Sequence, residues 1–222
     1  MLSPFQRHFS SLLTVFLLTT LPTAPLLANN KSAQQNAPAA DAEKFWNPLA
    51  RNWLTTEQIR LLKIAHSVGI EDDSKVHAHL LQAILMQESH AGHYGRIGDI
   101  DAPVGKRSYG VMQIKISTAR DVLERYPGMG QFTTEEELLI KLVTDDRFNI
   151  SVASKHLLGL RNNTNRDALA VMAYNAGLRR AKQHWYPEKF GYVIQVRQYI
   201  SKVITPFNKH FANKNITVAL GQ

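Results

Sequence analysis

Glu88 stands where an apolar helix runs out, in the stretch LLQAILMQESHAGH at residues 80–93. It follows Leu81, Ile84 and Leu85 at helical intervals, so it shares their face rather than the opposite one. A carboxylate on the packed side of a helix has its charged form disfavoured, which raises its pKa and lets it hold a proton near neutral pH. That is what a general acid for glycoside cleavage needs. A hydrolase of the usual kind adds a second carboxylate, and the candidates are Asp99 and Asp101 in the loop that follows. The sequence has no cysteine, which excludes thiol nucleophiles, disulfides and zinc thiolate sites. His77, His79, His90 and His93 match no metal-ligand spacing, so no metal and no cofactor are assigned.

Three further segments bear on Glu88 and the adjacent Ser89. Ser108 to Ile114 reads SYGVMQI, Met172 to Gly177 reads MAYNAG, and Gly191 to Val196 reads GYVIQV. Gly110 lets backbone approach another group closely, and Gln113 offers both a donor and an acceptor. Met112 supplies an adaptable apolar floor. Tyr174 and Tyr192 each join a flat apolar face to a hydroxyl, suited to stacking on a ring or to bonding near Glu88. Asn175 can orient the substrate or a helix end.

In this order the segments resemble the signature of the lytic transglycosylases, lysozyme-like enzymes that cleave peptidoglycan. The stretch DRFNI at residues 146–150 is similar to the family's helix start before a core helix. The resemblance implies a mainly α, lysozyme-like catalytic domain that acts on peptidoglycan glycan strands. It further implies that Glu88 first protonates the glycosidic oxygen between N-acetylmuramic acid and N-acetylglucosamine. The substrate's own acetamido group would then meet the charge at C1. Glu88 would finally deprotonate the C6 hydroxyl, leaving a 1,6-anhydromuramyl end without consuming water. Ser89, Gly110, Met112, Gln113, Tyr174, Asn175 and Tyr192 are the implied substrate-binding set. Two departures stand out: a longer loop between Glu88 and Gly110, and Val111 where leucine is commoner. A goose-type-lysozyme-like hydrolase and a non-catalytic peptidoglycan-binding or assembly protein remain open as alternatives.

These side chains need helices to hold them, and the sequence supplies the signals. Thr55 or Thr56 caps a helix that Gly69 is expected to close, and the next opens near Asp72, Asp73 and Ser74. Residues 92–109 read as a long loop. Ser117 opens TARDVLERY, and Thr134 with Glu137 forms a capping box before LLIKLV. Helices are expected over 147–160, 167–174 and 192–203, the last ended by Pro206, and strand signals are few.

The chain of 222 residues carries 26 basic and 18 acidic side chains, a net charge of +8, and a pI near 9.7. This balance favours an anionic partner, yet the basic residues are not interleaved with aromatics in a nucleic-acid motif, so no nucleic acid is assigned. Arg7 and His8 precede an apolar run from Leu12 to Leu21, shorter than a membrane span, and Ala28 offers a cleavage position. Residues 1–28 therefore read as a secretory signal and 29–44 as a flexible linker. A catalytic domain follows at 45–206, then a tail at 207–222. The expectation is an exported, periplasmic protein with no stable membrane span and no lipid-bearing cysteine. A cell-wall or secretion-apparatus protein is a possible partner.

Overall fold

The computed structural model describes residues 44–220, with side chains through residue 212. The expected signal segment and nearly all of the expected linker lie outside the described residues. The centre of the fold is a helical hairpin. Helix α1 (Thr56–Asp72) starts at a capping box in which the Thr55 side chain accepts from the Gln58 amide and the Gln58 side chain accepts from the Thr55 amide. Helix α2 (Lys75–Ser89) starts at Ser74, whose hydroxyl accepts from the His77 amide. Gly69 does not close α1. It lies inside the helix, where a Cβ would come within 2.4 Å of the Ala78 Cα, so its lack of a side chain sets how closely α1 and α2 approach.

Every residue of α2 from Leu80 to Met86 is buried, because α1, α5 (Asp146–Thr164) and α8 (Gly191–Tyr199) pack around it. The intervening chain forms α3 (Ile116–Arg125) and α4 (Glu135–Thr144), with the Thr134–Glu137 capping box in place. Helix α6 (Asp167–Ala176) is followed by a short α7 (Leu178–Lys182) that the sequence pattern did not announce. An antiparallel pair, β1 (Trp46–Asn47) with β2 (Asn52–Trp53), precedes α1.

The long loop after α2 carries its own small sheet. Strand β3 (Ile97–Gly98) pairs with β4 (Ser108–Tyr109), which pairs with β5 (Ile114–Lys115), all antiparallel. Each strand is two residues long, too short for alternation to show in a sequence.

The C-terminal boundary differs from expectation. After α8 the chain widens into one π-helical stretch, Ile200–Ile204, and then continues as α9 (Thr205–Leu220) straight through Pro206. Proline lacks the amide and crowds the carbonyl four residues back, and a widened turn just before it relieves both demands. What reads as a tail begins as core. Phe207 and Phe211 are buried, Phe207 meets Phe45 edge-on at 5.3 Å, and Asn208 exchanges two amide hydrogen bonds with buried Gln82 of α2, at 3.0 and 2.8 Å.

Candidate active site

Glu88 occupies the last turn of α2. The chain leaves that helix through His90, Ala91 and Gly92, all at positive φ. Ser89 holds this exit: its hydroxyl accepts from the Gly92 amide at 2.8 Å and donates to the Val111 carbonyl at 2.6 Å. Sequence reasoning aimed Ser89 at substrate, but it is fully buried and spent on backbone.

The Glu88 carboxylate is nearly enclosed. Tyr192, at the start of α8, donates its hydroxyl to Glu88 Oε1 at 2.5 Å. Burial pushes the Glu88 carboxyl up to about 7, and the Tyr192 hydrogen bond opposes part of that rise. The tyrosines respond in kind. Burial, then the charge of Glu88, raises both Tyr174 and Tyr192 well above the ordinary phenol value, so both remain donors.

Facing Glu88 is the hairpin turn between β4 and β5. Gly110 opens the turn at φ +74°, and a Cβ there would lie 2.1 Å from Asn149 Nδ2 and 2.4 Å from the Leu142 carbonyl. Only glycine satisfies both conditions. Asn149, from the first turns of α5, fills that space: its Oδ1 accepts from the Met112 amide at 2.8 Å, and its Nδ2 donates to the Tyr109 carbonyl at 3.0 Å. Tyr174 of α6 donates to the Met112 carbonyl at 3.0 Å. Met112 itself is buried as a packing residue. The turn ends at Gln113, a non-glycine residue held at φ +51°, whose side-chain Nε2 donates to the Gly110 carbonyl at 2.9 Å. Left-handed backbone at such a residue is unfavourable and marks a position the surroundings over-determine.

The loop behind the hairpin is tied down by Asp146 at the start of α5, which pairs with both Arg96 and Arg60. Burial raises the Asp146 carboxyl, but these guanidinium partners outweigh it and hold the group below the usual carboxylate range.

A groove of about 850 Å³ opens over these residues. Its lining includes Glu88, Asp99, Gln113, Tyr174 and Asn175, with Lys115, Arg125 and His156 among the other side chains. Burial and then nearby Arg125 push His156 down to about 4, which keeps it neutral. Of the sequence candidates, the groove gathers Glu88, Gln113, Tyr174 and Asn175 on its wall. Tyr192 reaches it through Glu88, while Ser89, Gly110 and Met112 lie beneath and shape it. Asp99 lines the groove and Asp101 is exposed outside its lining. His77 bonds Ser154 in the core at 2.8 Å. Asn149 is a positioning residue outside the candidate set, and its segment, DRFNI at 146–150, carries only a helix-start signal in the sequence.

The family model of the transglycosylase SLT domain matches residues 69–190. No curated protein and no solved structure matches the chain.

Proposed function

The chain belongs to the transglycosylase SLT domain family, over more than half of its length and with a mainly α, lysozyme-like fold, and from that premise we propose that it is a peptidoglycan lytic transglycosylase with Glu88 as its acid and then its base. The observation that carries the reading is the placement of Glu88, enclosed at the wall of a groove of about 850 Å³ with the Tyr192 hydroxyl on its carboxylate, a setting in which burial raises its carboxyl to about 7. A carboxyl that titrates near pH 7 gives and recovers a proton with little cost in either direction. Glu88 donates its proton to the bridging oxygen between N-acetylmuramic acid and N-acetylglucosamine, and that glycosidic bond breaks. The substrate's acetamido oxygen meets the charge at C1. The Glu88 carboxylate then takes the proton of the C6 hydroxyl as the C6 oxygen bonds C1. The product ends in 1,6-anhydro-N-acetylmuramic acid, and Glu88 is protonated again.

In this scheme Gln113 and Asn175 present amides to the sugars, and Tyr174 contributes an apolar face. Tyr192 steadies the ionised form of Glu88 between the two proton transfers. The assignment of residues 1–28 as an export signal places the enzyme in the periplasm with its substrate. Among the described residues no helix is long and apolar enough to cross a membrane.

Asp99 supports a second reading, because it shares the groove with Glu88 and a hydrolase of the usual kind adds a second carboxylate. Digestion of purified sacculi separates the two. Anhydromuropeptides from wild type, lost in Glu88→Gln and retained in Asp99→Asn, are expected for the transglycosylase. Reducing-end products that vanish in Asp99→Asn would establish the hydrolase instead. Binding to sacculi without any product would sink both.

A further inference from the structure

Immediately after the groove-lining stretch Asn175–Leu178, the chain presents a surface that the proposed reaction does not use. Trp185 is 88% exposed, the most exposed large apolar side chain among the described residues, and Tyr186 beside it is 64% exposed. Within the same segment lie Arg179, Arg180, Lys182 and Lys189, all exposed. Among the described residues no carboxylate pairs with these four. The segment's own Glu188 is taken by Arg166 at 2.6 Å, and Lys189 sits 4.9 Å from the Tyr186 ring centre. The segment is braced. Ala181 and Pro187 are buried on either side of the tryptophan, and His184 packs edge-on against Phe190 at 6.0 Å. The indole is therefore held out in water by a fixed support, where an apolar ring of this size is costly to leave.

We propose that this knob docks the protein on a bilayer containing anionic phospholipid, with Trp185 and Tyr186 in the headgroup layer and the four cations on lipid phosphates. Trp and Tyr are the side chains that settle at a membrane–water interface, and clustered Lys and Arg add attraction to anionic headgroups. The shape favours a fluid layer over a polymer. A sugar subsite presents one face of an aromatic ring in a hollow, whereas Trp185 is bare on nearly all sides and suits surroundings that close around it. The surface is distinct from Glu88, so docking and turnover are separable.

The test uses the full chain with vesicles of phosphatidylglycerol and phosphatidylcholine, or of phosphatidylcholine alone. Because Trp46 and Trp53 also fluoresce, the signal is the difference spectrum between wild type and Trp185→Phe. The expected result is a blue shift and protection from acrylamide for Trp185 on the anionic vesicles. The triple variant Arg179→Gln, Arg180→Gln, Lys182→Gln is expected to need about a hundredfold more lipid for the same shift, with an unchanged circular dichroism spectrum. An unshifted Trp185 on anionic vesicles would overturn the proposal. So would a triple variant that keeps the wild-type vesicle response but loses sedimentation with sacculi, which would make the patch a contact for the wall polymer.

Discussion

At the scale of single residues, the consequence of Glu88's setting is a pH dependence whose sign can be worked out. The reaction begins from the protonated carboxyl, whose folded-state pKa is raised to about 7. The free enzyme's kcat/KM is therefore expected to fall as pH rises through about 7. Tyr192→Phe removes the hydroxyl that favours the carboxylate, so Glu88 should hold its proton to still higher pH. The descending limb then moves upward, and the second, base step slows. A pH profile of anhydromuropeptide release measures both effects; a limb that stays in place would mean that another group sets it. The apolar face ending in Glu88 was legible in the sequence, since helical spacing alone places the residue with Leu81, Ile84 and Leu85. The role of Ser89 was not, because its partner, the Val111 carbonyl, is reached only when the hairpin folds back onto α2.

At the scale of elements, the hairpin turn depends on one amide side chain from another helix. Asn149→Ala leaves the buried Met112 amide and Tyr109 carbonyl without partners, which is expected to cost about 2–4 kcal/mol. Asn149→Asp keeps the acceptor for Met112 but loses the donor to Tyr109, and places two acceptors together. Urea denaturation should rank wild type above both variants, and the Asp variant should recover stability as pH falls and its carboxyl gains a proton. Equal stability of all three would remove Asn149 from this role. The helix signals themselves were read well wherever the cause is local, as at the Thr55 and Thr134 capping boxes. They failed where the cause is distant. Gly69 resembles a stop signal until Ala78 of the next helix is known to lie against it, and the strands of the small sheet exist only as partners of one another.

At the scale of the whole molecule, the two ends of the described chain close the fold together. Phe45 lies against Phe207, and Asn208 holds Gln82 at the middle of the central helix. Phe207→Ala is expected to destabilise by about 3–5 kcal/mol, and its urea midpoint should fall with an unchanged slope. A loss below 1 kcal/mol would restore the view of this segment as an appendage. Pro206 hid this arrangement from sequence reading, because a proline after an apolar helix normally marks its end, and the π-helical stretch that lets the chain pass it has no sequence signature of its own.

The hairpin turn also has a meaning in time. Its backbone is held by Ser89 from α2, Asn149 from α5 and Tyr174 from α6, which lie 22, 37 and 62 positions in sequence from their partners in the turn. Few local contacts favour it before those helices have assembled, so it is expected to form among the last parts of the protein and to open only when the helices part. The Met112 amide should then exchange its hydrogen for deuterium through global unfolding alone, at a free energy equal to that from urea denaturation. Exchange at a markedly lower free energy would show that the floor of the groove opens by itself.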